Sequence, residues 1–205
     1  MASIWRYPVK SLRGQTLQSV FVSESGIPGD RAEALVVQSG HVREGKTYRG
    51  KEHDRLHLIS GKEEGVQLGA ARGVVLDHRS DGPFFDDAPI SLILDRWLDE
   101  LRDYLGHGVE PERFRPNFFV RAWPDFSGGE AALQGAELQL GQARLRVRAP
   151  IVRCVTITYD LADGASDPEI LRVVAQRRNS WMGVYCDVVQ PGDVRTGDSL
   201  TMIER

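Results

Sequence analysis

The dipeptide Arg153-Cys154 ends the apolar stretch Ala149-Pro150-Ile151-Val152 and opens the run Val155-Thr156-Ile157-Thr158-Tyr159-Asp160. A guanidinium beside a thiol favours the thiolate, the form that attacks electrophiles and ligates soft metals. Cysteine is equally suited to be a small core hydrophobe, so position and neighbour alone leave Cys154 open between chemistry and packing. The other cysteine, Cys186, sits in Gly183-Val184-Tyr185-Cys186-Asp187-Val188-Val189, whose alternation reads as a packed strand. The two thiols lie far apart without CxxC spacing, which argues against a zinc cage or a disulfide framework.

Three further constellations carry cations or amides at restrained positions. Tyr7-Pro8-Val9-Lys10-Ser11 places a lysine and a hydroxyl after a proline, Gly29-Asp30-Arg31 places an arginine past a glycine turn, and Arg113-Phe114-Arg115-Pro116-Asn117 surrounds an aromatic with two cations before an amide. Guanidinium forks recognise phosphate through paired charge-assisted bonds, and a lysine adds a mobile point charge. An asparagine both donates and accepts, as reading the edge of a heterocycle requires. If the fold gathers the four segments, the result is a cleft for a phosphorylated, sulfur-binding cofactor. His41, His53, His57 and His78 lack metal-ligand spacing and are not expected to bind metal. Asp160 reads as a turn cap more readily than as a proton-transfer group.

Short strands and two helices must position these residues. Thr16 to Val22 and Ala32 to Val37 read as strands around the turn Ser25-Gly26-Ile27-Pro28-Gly29-Asp30, and Leu138-Gln139-Leu140 with Leu145-Arg146-Val147 as a hairpin. A helix is predicted from Leu92 to Leu105, where Leu94, Trp97, Leu98, Leu101 and Leu105 share a face and Gly106 stops it. A second starts at Ser166-Asp167-Pro168-Glu169, buries Ile170, Val173 and Val174, and ends on Arg177-Arg178, a pair suited to the negative end of a helix dipole. Residues 40 to 87 carry weak patterning, and Val155 to Asp160 look like a strand. The reading is a strand-dominated α+β architecture with a few helices, a β-barrel, divided near Pro111 into segments 1–110 and 111–205 that form one compact unit and share a sheet system.

Composition bounds the partners. The chain has 205 residues and a net charge of only −3, so nucleic acid is a poor partner. No apolar leader and no stretch of membrane-spanning length is present, which points to a cytoplasmic protein with no membrane association.

The order YPVKS, GDR, RFRPN, RC followed by Asp160, Gly183-Val184-Tyr185 and a closing Gly197-Asp198 resembles the MOSC domain family, named for the C-terminal domain of molybdenum cofactor sulfurase. The resemblance runs from about Trp5 to Met202. It implies a MOSC N-terminal β-barrel segment up to about residue 110 and the MOSC domain proper from 111 onward. It further implies binding of the molybdopterin form of molybdenum cofactor, as in the amidoxime-reducing enzymes and the bacterial reductases of hydroxylated bases. By the same resemblance Cys154 is the protein ligand to molybdenum, Lys10, Ser11 and Arg31 hold the cofactor phosphate, and Arg115 and Asn117 contact the pterin. The chain is shorter than those reductases between Arg31 and Arg113, and Ile93-Leu94-Asp95-Arg96-Trp97 lacks the small hydroxyl residues expected there, departures that concern the substrate pocket.

The activity implied is reduction of small N-oxygenated or S-oxygenated substrates with an external electron-donor protein. Pyridoxal phosphate, which the sulfurases carry on another domain, is not expected in this chain. Two alternatives remain: a sulfur carrier with a Cys154 persulfide, and a non-catalytic module for another anionic ligand.

Overall fold

The computed structural model describes residues 3–40 and 42–203, so His41 lies outside the described residues. Twelve strands and three α-helices follow in chain order as β1 (Ser3–Arg6), β2 (Gln15–Leu17), β3 (Ser19–Val22), β4 (Ala34–Ser39), α1 (Lys62–Ala70), β5 (Val75–Arg79), β6 (Ile90–Leu94), α2 (Asp95–Leu105), β7 (Phe118–Val120), β8 (Glu137–Leu140), β9 (Ala143–Val152), α3 (Pro168–Arg177), β10 (Trp181–Gln190), β11 (Gly192–Arg195) and β12 (Leu200–Ile203). The strand-dominated α+β class stands.

Barrel closure does not. Eight strands form one sheet in the order β12-β8-β9-β10-β6-β7-β1-β2, and its end strands β12 and β2 do not pair among the described residues. Two short ribbons, β11–β3 and β4–β5, take up the remaining strands instead of bridging those edges. Strands from both sides of Pro111 share the main sheet, with β1, β2 and β6 beside the later β7 and β10.

The helix expected from Leu92 begins only at Asp95, because Ile90–Leu94 is a central strand, parallel to β7 on one side and antiparallel to β10 on the other. Every residue of β6 is buried. A strand covered on both faces is a continuous apolar run, which periodicity alone does not separate from a helix start. From Asp95 the expected face holds: Trp97, Leu98 and Leu101 are buried, and Gly106 caps α2 in the left-handed region at φ 73. In α3 the cap is Asp167, whose side chain accepts from Glu169 N, and Ile170, Val173 and Val174 are buried as expected.

Helix α1 escaped the sequence pattern because Gly65 and Gly69 fall where its buried face should be apolar. A Cβ at Gly65 would stand 2.6 Å from Leu35 Cδ1, and one at Gly69 would stand 2.4 Å from Leu76 Cδ1. Glycine lets α1 lie directly on the β4–β5 ribbon and complete a second core of residues such as Leu12, Leu35, Tyr48, Leu56 and Leu76. The main core gathers around β6, α2, β9, β10 and α3. No helix among the described residues is long and apolar enough to cross a membrane.

Candidate functional site

A cavity of about 520 Å³ lies where the loops after β1 and β9 meet the segment following Pro111. Lys10, Ser11, Arg31, Arg115, Asn117 and Cys154 all line it, so the fold brings the four constellations together. Local backbone geometry marks the same residues. Five non-glycine residues among those described have positive φ, and three are Ser11 (69), Arg31 (47) and Arg115 (53). Each such conformation costs on the order of 1–3 kcal/mol and persists only where the surroundings enforce it, characteristically at functional sites.

Tyr7 is the hub. Its ring lies between two guanidinium groups, with Arg31 Cζ at 4.8 Å and Arg115 Cζ at 4.3 Å from the centroid. Its backbone N–H donates to Asp30 Oδ1 at 2.6 Å, while Asp30 also pairs with Arg31 Nη1. Arg31 Nη2 donates to the Arg115 carbonyl at 3.0 Å, so the two cations are held side by side. Two buried polar atoms here lack any partner, the Tyr7 hydroxyl and Arg115 Nη2. Burial pushes the Tyr7 hydroxyl well above its ordinary pKa and lowers that of Arg115 to about 10. At the open side Lys10 Nζ meets Asp86 Oδ1 at 2.7 Å, but that carboxylate is 70% exposed and exchanges readily with a stronger anion.

Asn117 also lines the cavity, yet its amide works mainly inside the protein. Its Oδ1 accepts from Ser91 N and Ser91 Oγ, both at 3.0 Å, and its Nδ2 donates to the Trp5 carbonyl at 3.3 Å. One N–H remains for a ligand.

Cys154 is exposed, with extended backbone, and it caps a 3-10 turn over Val155–Thr158 where the sequence suggested a strand. Local bonds override the β-branched pattern there, since Thr158 Oγ1 donates to the Val155 carbonyl at 2.8 Å and Arg113 Nη1 to the Thr158 carbonyl at 3.2 Å. The turn places Thr156 Oγ1 3.2 Å from Cys154 Sγ. Asp160 is the expected cap: Oδ1 accepts from Ala162 N at 2.8 Å and Oδ2 from Arg113 at 2.6 Å, and these bonds, the backbone one foremost, hold its carboxyl below the ordinary range. Cys186 is fully buried in β10, and burial raises its thiol pKa, as packing requires.

Arg153 is held by carbonyls only. Its Nε donates to Met182 O at 2.7 Å, Nη2 donates to the same oxygen, and Nη1 donates to Phe114 O at 2.8 Å. Burial again lowers the pKa to about 10, leaving a cation at neutral pH beside Cys154. The acceptor exists because β10 bulges: Trp181 pairs with Val152 but Val184 with Pro150, three residues against two. On the other side of the bulge Gly183 N donates to Glu130 Oε1 at 3.2 Å, and Arg178 Nη2 holds the same oxygen at 2.8 Å. Arg178, read from sequence as a helix-end cation suited to the dipole, is also buried and ion-paired, with Glu130 and Glu100 as its partners. Nothing in the local pattern distinguishes it from Arg177; only the tertiary approach of Glu130 does.

Gly183 is irreplaceable in that bulge. Its φ is +87, and a Cβ would meet Leu92 O and Ile93 Cγ1, each at 2.7 Å. Gly183→Ala is expected to destabilise by about 2 kcal/mol or more and to disturb Arg153. Urea denaturation with unchanged m, together with altered iodoacetamide reactivity of Cys154, checks both effects.

With this geometry in hand, comparison with known families is decisive. The MOSC domain matches residues 78–201, and the MOSC N-terminal beta barrel domain matches residues 1–77. The chain belongs to the MOSC family. Among solved structures, the YuaD protein of Bacillus subtilis resembles it in fold, with 17% identity and a TM-score of 0.52 over 98% of this chain and 96% of that one. YiiM of Escherichia coli has 14% identity and a TM-score of 0.48 over 100% of this chain and 71% of its own. No curated protein matches the chain. MOSC domains are associated with molybdenum cofactor, and the cavity can be weighed against that group. Clustered cations, an orphaned guanidinium nitrogen and an exposed thiol suit an anionic ligand that carries a soft metal. No group of three or more His, Cys, Asp or Glu side chains that could hold a metal ion is present among the described residues.

Proposed function

We propose that this MOSC protein binds molybdenum cofactor in the 520 Å³ cavity and reduces small N-oxygenated or S-oxygenated substrates at Cys154. The observation that carries the reading is the pair of buried atoms without partners, Tyr7 hydroxyl and Arg115 Nη2, in a cavity that also opens on Cys154. An unmatched guanidinium nitrogen is costly unless a ligand satisfies it. Lys10, Ser11 and Arg31 would hold the phosphate, Arg115 and the remaining Asn117 N–H would face the pterin, and Cys154 thiolate would ligate molybdenum. When bound, the cofactor supplies two-electron oxo transfer, with electrons from an external donor protein.

The chain's own residues do the rest. Arg153 keeps a positive charge next to the thiolate, and its three carbonyl bonds prevent it from swinging away. His57 stands nearby, stacked on Tyr159 with ring centroids 6.2 Å apart, with Nε2 2.6 Å from the Asp160 carbonyl. A carbonyl only accepts, so Nε2 carries the proton. Burial, reinforced by Arg115, Arg113 and Arg13 against the opposing bond to Asp160, holds the His57 pKa below its ordinary value, so at neutral pH the ring is neutral and Nδ1 is a hydrogen-bond acceptor.

Molybdenum and pterin content after production in a host that makes the cofactor tests the reading. Near-stoichiometric metal and pterin in the wild type, with molybdenum lost in Cys154→Ala, is the expected result. Both proteins empty, while a control molybdoenzyme from the same host is loaded, would sink it. Cys154 would then be examined for a persulfide adduct, the sulfur-carrier alternative.

A further inference from the structure

The cavity holds more positive charge than the cofactor phosphate site accounts for. Beyond Lys10, Arg31 and Arg115, five arginine or lysine residues line it: Arg13, Arg49, Lys51, Arg113 and Arg153, the last committed to the Met182 and Phe114 carbonyls. Two are neutralised within the protein. Arg49 is locked to Glu52 with Nε to Oε1 at 3.0 Å and Nη2 to Oε1 at 2.5 Å, and Arg113 pairs with Asp160 at 2.6 Å and Glu110 at 3.1 Å. Arg13 and Lys51 have no ion pair among the described residues. Among the described residues the Arg13 side chain makes one long hydrogen bond, 3.4 Å from Nη2 to the Leu161 carbonyl. Of the cavity's two carboxylates, Asp86 sits on Lys10, and Glu112 acts on Tyr7.

Both free cations are tied to the surroundings of Cys154. Gly50 is pressed onto Thr156, where a Cβ would stand 2.9 Å from Cγ2, and Thr156 Oγ1 is the atom on Cys154 Sγ. Lys51 is the next residue. The Arg13 backbone donates to the Ile59 carbonyl at 2.8 Å, and its guanidinium approaches Leu161, two residues past Tyr159. Its charge also reaches His57, the partner of Tyr159 in the stack. Tyr159, Leu161 and Thr156 line the same cavity and contribute no carboxylate.

We propose that Arg13 and Lys51 form a second anion subsite, flanking Cys154 and separate from the Lys10, Arg31 and Arg115 group, which receives a carboxylate or phosphate carried by the molecule that reacts at Cys154. The proposal rests on the reading above only in taking Cys154 as the reacting centre. It makes the substrate an anion-bearing small molecule. A guanidinium and a mobile ammonium hold the anionic group, and the Tyr159 and Leu161 side chains in the same cavity favour a planar or apolar body.

The test uses cofactor-free protein and two reagents of nearly equal shape, iodoacetate and iodoacetamide, each losing iodide to the Cys154 thiolate. Buried Cys186 stays silent in the folded protein. The ratio of the iodoacetate rate to the iodoacetamide rate is compared between wild type and Arg13→Gln/Lys51→Gln, whose replaced side chains are surface-exposed and leave the core intact. A fall of the ratio by up to about tenfold at low salt is expected, vanishing at high salt. An unchanged ratio overturns the proposal, as does a ratio that falls only in Lys10→Met. Because the readout needs no molybdenum, an empty protein would defeat the cofactor reading without deciding this one. A loaded protein with an unchanged ratio would do the reverse.

Discussion

Arg115→Met, produced in a cofactor-making host, is expected to carry at least tenfold less pterin than wild type while its cofactor-free form keeps its melting temperature or gains on it. Each charge-assisted bond is worth about 1.5–3 kcal/mol, so losing one guanidinium donor to an anion costs a factor of ten or more. Methionine preserves the packing against Tyr7, which Arg115 covers at 4.3 Å. It also removes a cation whose Nη2 has no partner and whose pKa burial lowers to about 10. For a base with a depressed folded-state pKa, the penalty on folding is fully present below about pH 10 and fades only above it. Arg115 is therefore charged across the physiological range, and the penalty is constant there. Relief of that penalty is the signature of a residue kept for binding and not for stability. A lower melting temperature for the empty variant, with pterin content intact, would show Arg115 to be a structural residue.

Arg178→Leu is expected to lower stability by about 3–5 kcal/mol and the melting temperature by on the order of 10 °C, the largest effect of any substitution away from the cavity. Glu130 and Arg178 side chains are each 4% exposed, and removing the cation strands the carboxylate. Because that carboxylate also holds Gly183 N, the same change should loosen the bulge that supplies Met182 O to Arg153. The double variant Glu130→Gln/Arg178→Met keeps an acceptor for Gly183 N without a buried charge and should recover much of the loss. Calorimetry on the wild type and the two variants decides it. A single-variant loss below about 1 kcal/mol, in the range of a surface pair, would remove the buried-ion-pair account.

Much of the site is legible without coordinates, because it consists of residue types whose chemistry is intrinsic. Lys10, Ser11, Arg31, Arg115, Asn117 and Cys154 stand in short ordered motifs, and all six meet at one cavity. The left-handed backbone at Ser11, Arg31 and Arg115 is invisible in sequence, since none is a glycine and nothing local announces the strain. The β8–β9 hairpin, the α2 face from Trp97 to Leu101 and the burial of Cys186 follow from periodicities of two and 3.6.

Other features depended on contacts between distant segments. Ile90–Leu94 is a strand because β7 and β10 flank it, Val155–Thr158 is a turn because Arg113 and Thr158 hold it, and α1 exists because two glycines allow it to lie on Leu35 and Leu76. The sheet's open edges likewise reflect which strands pair, a choice made by β3 and β11 pairing with each other and β4 with β5. The sequence by itself determined the family and the polar side chains that meet at the cavity, Cys154 among them. Only the tertiary structure decided that Arg178 is buried against Glu130, that Arg153 is held by a bulge, and that Arg13 and Lys51 remain without carboxylate partners, because each depends on what lies across a gap that the chain closes only on folding.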